Sequence, residues 1–160
     1  KQARRLNSEL RETVTEARLI SHSLAPVPLD GDGLMRGLTE LASRTNRHKG
    51  VKCRFRCEPP VHVEDTSVAT HLYRIAQEAV TNALKHGKAK SIEIRLVEQD
   101  GVLELSVENN GHPLPAEDQS KNGIGLNAMR YRAGLLGAAL SVMPGKRKGA
   151  KVSCTLRRKQ

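Results

Sequence analysis

A chain of 160 residues with 38% hydrophobic side chains can bury one ordinary core and carry an appendage, but with 2% aromatics (Phe55, Tyr73 and Tyr131) that core must be aliphatic. Three cysteines, an odd number, argue against a disulfide framework and for a reducing cytosol; there is no signal peptide and no apolar run long enough to span a bilayer. The net charge of +10 comes from 27 basic and 17 acidic residues, yet the basic ones are spread out, clustering only modestly at residues 4–5, 146–148 and 157–159, with no aromatic stacking platform, so direct nucleic-acid binding is not expected.

Residues 1 to about 24 read as a helix, with Leu6, Leu10, Val14, Ala17, Ile20 and Leu24 on or near one stripe. That spacing suits packing against a partner helix, and equally an ordinary helix capping the domain. Pro26 and Pro28 break it and make a short linker. Asp30 or Asp32 caps a second helix running to about Arg47, with Leu34, Leu38, Leu41 and Ala42 inward. Residues 51–57 alternate as a strand, ended by Pro59 and Pro60. Cys53 and Cys57 then face the same way; C-x3-C with one distant Cys154 is a poor zinc pattern, and buried thiols are the expectation. Residues 61–63 admit another short strand.

Asp65 or Thr66 opens the next helix, whose apolar positions are Leu72, Ile75, Ala76, Ala79, Val80, Ala83 and Leu84. Glu78 and Asn82 sit four apart and share another face. A carboxylate and a carboxamide so aligned offer oxygen ligands to a hard cation such as Mg²⁺, which in turn holds substrate phosphates. Such a pair is also what an ordinary solvated helix face carries. Lys85 and His86 follow at the helix end, where cationic groups could meet the same phosphates. Residues 91–98 and 102–108 alternate as two strands joined by a turn at Gln99-Asp100-Gly101. Residues 113–121, PLPAEDQSK, are a polar loop. Gly123 and Gly125 then open a helical run through Leu126, Met129 and Arg130 that continues from Tyr131 to Gly137. Glycines before a helix let backbone N–H groups approach a phosphate, and the helix terminus adds favourable partial charge. Residues 140–143 and 150–156 form a last hairpin. The sum is α/β, a two-layer sandwich of a mixed β-sheet with helices on one face, preceded by an N-terminal helix.

Together these motifs resemble the ATP-binding catalytic domain of sensor histidine kinases, in the superfamily shared with gyrase, Hsp90 and MutL. RIAQEAVTNALKHG, ending at Gly87, resembles the family's N box; VENNG, ending at Gly111, sits where its first glycine box lies; GIGLNAMRYRAGLLGAAL, from Gly123, resembles the second glycine box and the helix after it. The GxGLxxMRxRA pattern is similar to the subgroup that pairs with LuxR-type response regulators. The likeness runs from about Leu24 to Leu156.

The resemblance implies the Bergerat fold and a histidine protein kinase working in a two-component phosphorelay, with ATP and Mg²⁺ as cofactors. Asn82 would ligate Mg²⁺ and Glu78 would orient a metal-bound water or polarise the site. Lys85 and His86 would stand near the phosphates, Asn109 would meet the adenine, Gly123, Gly125 and the helix N-terminus after them would hold the phosphate tail, and Gly111 and Leu126 would also belong to the ATP site. The loop over residues 113–121 would be the ATP lid. It also implies a response regulator as partner, a homodimer in the full-length protein and a cytoplasmic location, with membrane anchoring of the parent left open.

Two positions depart from the pattern. Asn109 stands where the family has an Asp that accepts from the adenine amino group, and His112 replaces a glycine. Asn109 still accepts through its carbonyl oxygen but has no charge, a change of about tenfold in affinity. The six histidines, His22, His48, His62, His71, His86 and His112, include none followed by Asp or Glu. The expectation is a fragment: residues 1–25 would be the end of the dimerising hairpin without its acceptor helix, and 26–160 the catalytic domain, inactive in autophosphorylation alone. The alternative is a degenerate domain of the same fold serving as a non-nucleotide-binding scaffold. A related ATPase or anti-sigma-type kinase is disfavoured by the helix before Pro26 and by GLNAMRYRA.

Overall fold

The computed structural model describes residues 33–113, 124–146 and 148–158. The expected first helix, the caps Asp30 and Asp32, residues 114–121 of the polar loop and Gly123 lie outside them. The described elements are α1 (Gly33–Thr45), β1 (Lys52–Arg56), α2 (Thr66–Lys85), β2 (Ser91–Gln99), β3 (Val102–Asn109), α3 (Ile124–Leu135), β4 (Ala139–Pro144) and β5 (Ala150–Arg157).

The strands form one sheet in the order β1-β2-β3-β5-β4. β1 and β2 are parallel, and every other neighbouring pair is antiparallel. A parallel neighbour needs a crossover, and α2 supplies it. Side chains alternate across the sheet. Cys53, Ile92, Ile94, Leu96, Leu103, Leu105, Val107, Val152 and Cys154 point to one face and join the helices' apolar stripes in a single core. Lys52, Arg54, Arg56 and Arg95 occupy the other face and are exposed. The mixed sheet covered on one side by helices is the expected two-layer sandwich.

α2 forms because its ends are capped and its apolar residues recur at helical spacing. The Asp65 carboxylate accepts from the N–H groups of Ser67 and Val68, 2.8 and 3.2 Å away, so Asp65 is the cap and Thr66 the first helical residue. Leu72, Ile75, Ala76, Ala79, Val80 and Ala83 are buried along one stripe against the sheet. At the far end His86 and Gly87 both donate their N–H to the Asn82 carbonyl. The β2–β3 turn has Asp100 and Gly101 at φ 52° and 71°, the left-handed pair that a two-residue hairpin requires. α3 stops at Leu135, two residues short of the sequence reading. Gly137, at φ 63°, turns the chain, and Ala138 N–H reaches back to the Ala133 carbonyl at 2.9 Å.

Two expectations are corrected. Residues 61–63 are not a strand: Val61 and Val63 are buried in the core, but the backbone there joins no ladder. Pro60 offers no N–H, and the Asp65 cap begins the helix too soon for pairing to develop. Of the three thiols expected to be buried, Cys53 and Cys154 are, whereas Cys57 is half-buried just past β1, with its Sγ 3.6 Å from Met35 Sδ.

Leu72→Ala is expected to cost about 2–5 kcal/mol in urea unfolding, because the side chain is wholly buried, whereas Asp65→Ala should cost about 1. Burial pushes the thiols of Cys53 and Cys154 up to about 11. Alkylation of the folded chain at neutral pH, followed by mass spectrometry, should therefore label Cys57 first and the other two only on unfolding.

Candidate functional site

A cavity of about 170 Å³ lies between the second half of α2 and the ends of β3 and β5. Its walls are made by small and aliphatic side chains: Ala79 and Ala83 from the helix, Val107, Ala150 and Val152 from the strands. Two alanines one turn apart leave the gap, and a larger residue at either position would close it. Asn82, His86, Asn109 and His112 supply the polar lining. A slot with apolar sides and a few converging polar groups suits a flat heteroaromatic ring.

Asn109 ends β3 at the back of this cavity and is 8% exposed. Its Nδ2 donates to the Ala150 carbonyl at 3.2 Å, and its Oδ1 accepts from the Gly111 N–H at 2.9 Å. These two partners fix which way the amide points. The oxygen retains a second lone pair for a ligand donor. The loop closes around it through glycines. A β-carbon on Gly111 would run into the Gly87 carbonyl, and one on Gly149 would run into the Asn109 backbone and side chain. The neighbouring Asn110 ties the loop to the sheet, its Oδ1 accepting from the N–H groups of Lys90 and Ser91 at 3.0 and 2.8 Å. His112 and Pro113 stand exposed at the mouth, and the His112 N–H donates to the Gly87 carbonyl at 2.7 Å.

The second half of the site lies where α3 meets α2. Gly125 is the second residue of α3, and its backbone is seated on the Glu78 and Asn82 side chains. A β-carbon there would collide with the Glu78 carboxylate and come within 3.2 Å of Asn82 Nδ2. Glu78 and Asn82 are both half-buried. The first N–H groups of a helix have no intrahelical acceptors, so the start of α3 offers donors and positive partial charge beside two oxygen-bearing side chains.

Glu78, Asn82 and Gly125 are thus brought together, Asn82 and His86 border the cavity, and Asn109 lies within it. Gly111 serves the Asn109 loop by close backbone approach. Leu126 is half-buried against the core. Lys85 is exposed one turn beyond Asn82 and is not part of the cavity lining. Gly123 lies outside the described residues.

The sequence reading passed over a buried charged group two turns along α3 from Gly125. Arg132, on α3, is 7% exposed. Burial lowers its pKa from the usual guanidinium value, Arg74 lowers it further, and Glu78 and the Tyr131 hydroxyl oppose the shift. His71 is held below the ordinary imidazole range by burial and by Arg132. The signal was present in the spacing: Arg132 follows Gly125 by seven residues, two helical turns, and so shares its face.

Residues 67–160 match the family model described as histidine kinase-, DNA gyrase B-, and HSP90-like ATPase. The sensor histidine kinase LiaS of Bacillus subtilis (strain 168) is 32% identical over 149 residues, which cover 88% of this chain and 39% of that relative. The chain therefore spans well under half of that kinase. The ATP binding domain of PrrB from Mycobacterium tuberculosis superposes with a TM-score of 0.65 at 19% identity, covering 78% of this chain and 93% of that one. Full-length ShkA in complex with AMPPNP gives a TM-score of 0.64 at 20% identity, over 98% of this chain and 39% of that one. At such identities the two structures speak for the fold. The family model covers the larger part of the sequence, including every element from α2 to β5, and the chain belongs to the histidine kinase-, DNA gyrase B- and HSP90-like ATPases.

Proposed function

We propose that this chain is the ATP-binding catalytic unit of a sensor histidine kinase, delivering the γ-phosphoryl group to a histidine on a separate helix for relay to a response regulator. The observation that carries the reading is the seating of Gly125 on Glu78 and Asn82 at the edge of an apolar cavity that ends on Asn109. Similarity to LiaS supports the kinase assignment over the other activities of the family. The pairing with LuxR-type regulators rests on the GLNAMRYRA segment. Residues 1–25 are read as the end of the dimerising hairpin and the rest as the catalytic domain. The site is taken to work in the cytoplasm; no described helix is long and apolar enough to cross a membrane.

In this reading the purine lies between Ala79 and Ala83 on one side and Val107 and Val152 on the other. Its amino group donates to Asn109 Oδ1. The phosphates extend toward Asn82 and the start of α3, with Lys85 and the His86 ring at the end of α2 nearby. The donor set fits Mg²⁺: the Asn82 carbonyl oxygen and the Glu78 carboxylate are hard ligands, and the absence of a β-carbon at Gly125 lets both side chains lie against the start of α3. When bound, the ion neutralises phosphate charge. The acceptor imidazole uses a ring-nitrogen lone pair to bond the γ-phosphorus in line. The bond from that phosphorus to the β-phosphate oxygen breaks, and ADP leaves with the electron pair. The ring proton departs to water or to Glu78. The chain's own contribution is positioning and preorganised charge.

Calorimetric titration with ATP and Mg²⁺ is expected to give saturable binding; no binding at millimolar nucleotide would overturn the reading. Asn82→Ala should weaken binding about tenfold or more, and Gly125→Ala, whose β-carbon would displace the Glu78 carboxylate, should do likewise. Asn109→Asp should bring no gain, since the new carboxylate would face the Ala150 carbonyl that Nδ2 now satisfies.

A further inference from the structure

We propose that the uncovered face of the sheet carries a second binding site: a basic cleft for a small phosphate-rich anion with two or more phosphate groups and no apolar part.

The cleft holds about 310 Å³, more than the cavity that ends on Asn109, and lies over β1, β2 and the end of β3. Lys52, Arg54 and Arg56 enter it from β1, Arg95 from β2 and Lys146 from the turn after β4. These cations are dispersed along the sequence, and the sheet assembles them. Alternate residues of a strand share a face, about 7 Å apart, and neighbouring strands lie about 5 Å apart. The register sets Arg95 directly across from Arg56, so three guanidiniums meet in one corner.

Charge within the cleft is not balanced. Its acids are Glu93 and Glu108. Glu93 faces Arg54 in the register but pairs with Arg56, whose Nε lies 2.9 Å from its Oε1. The Glu108 carboxylate accepts from the Lys146 backbone N–H at 2.7 Å, which leaves the lysine's ammonium unneutralised by that bond. Arg54 and Arg95 make no ion pair among the described residues. Like charges directly opposite one another across a sheet are unfavourable, and Arg56 against Arg95 is such a pair. An anion bridging them would remove the repulsion, and guanidinium forks match phosphate oxygens two at a time.

Plainer explanations of the charge fall short. Cationic side chains guard an edge strand against pairing with another chain, and β1 is an edge. That edge is already blocked: the Asn46 amide donates to the Cys53 carbonyl at 2.8 Å and accepts from the Cys53 N–H at 2.7 Å. Edge protection also asks for neither Arg95, on the second strand, nor Lys146. A face that served solubility alone would intersperse the two signs. The lining narrows the ligand further. Apart from Ile92, which is 1% exposed, every lining residue is charged or carries an amide or a hydroxyl. A purine would find no apolar wall here, and a nucleic acid or an acidic polypeptide would extend beyond the cleft.

The test uses the full chain and inorganic tripolyphosphate, titrated by calorimetry at about 0.1 M salt, where exposed charges more than about 10 Å apart are screened. Saturable one-to-one binding with a Kd below about 1 mM is expected. Arg54→Gln with Arg95→Gln should weaken it at least about tenfold, because each loss removes charge-assisted hydrogen bonds. Arg47→Gln with Arg130→Gln removes the same charge from exposed positions outside the cleft and should change it less than about twofold. Asn82→Ala should leave it unchanged, which separates this site from the nucleotide cavity and from the fate of the kinase reading. Absence of saturation, equal weakening by the two arginine pairs, or loss with Asn82→Ala would overturn the proposal. So would a poly-glutamate peptide or a single-stranded oligonucleotide that binds through Arg54 and Arg95 where tripolyphosphate does not. If Arg54→Gln with Arg95→Gln does not fold, Arg54→Lys with Arg95→Lys takes its place and should weaken binding at least about threefold by loss of the forks.

Discussion

The site depends on how closely α3 can approach α2. Helices normally meet through side chains at an axial separation of 8–10 Å, roughly. At residue 125 no side chain intervenes, and the α3 backbone touches the Glu78 and Asn82 side chains directly. That contact does two things at once. It sets the unpaired N–H groups at the start of α3 beside two oxygen-bearing groups, and it fixes how far along α2 the second helix lies. The rest of the seam follows in register, with Met129 in the core and Arg132 buried two turns on.

A similar economy of side chains shapes the other end of the site. Gly111 brings its backbone against Gly87 and Ala89, and Gly149 brings its own against Asn109. The donor that Asn109 carries and an aspartate would lack is used: it satisfies the Ala150 carbonyl, which is otherwise turned toward it. A carboxamide has one donor end and one acceptor end, so its two backbone partners hold it in a single orientation. The departure from the family's aspartate is therefore built into the surrounding loop. The charge is lost, but the acceptor oxygen remains directed by the Gly111 N–H rather than free to rotate.

Periodicity carried most of what the sequence disclosed. α1, α2 and the alternating strands were legible because burial enforces spacings of three to four in a helix and two in a strand, and the cap at Asp65 and the turn at Asp100-Gly101 have local chemistry of their own. What was not legible depended on distant neighbours. Nothing local says that β1 lies parallel to β2 or that β5 sits between β3 and β4. Val61 and Val63 alternate like a strand because they are buried like one, yet burial needs no ladder. Asn110 reads as a loop residue until its bonds to Lys90 and Ser91 are known. Arg132 shares the Gly125 face by its spacing, but that it is buried while Arg130 is exposed shows only once α3 is packed against its neighbours. Of the candidate residues, Glu78 and Asn82 share a helix face as their spacing requires and Gly125 lies against them, Asn82, His86 and Asn109 line the cavity, and Lys85 is exposed outside its lining.

The two ends of the site are built from different parts of the fold. The base end consists of strand termini and glycine-rich loops, tied by backbone hydrogen bonds to the middle of the sheet. The phosphate end consists of side chains on two helices whose separation one glycine sets. A sheet held by continuous ladders resists local distortion, while a helix–helix seam can shift when a single side chain in it changes. Substitutions in the walls around Asn109 thus act on whether a nucleotide is held at all. Substitutions at Gly125 act on where the acid and the amide stand once it is held. A family that attaches the same nucleotide pocket to several chemistries would need that separation, because the pocket can be kept while the seam is retuned.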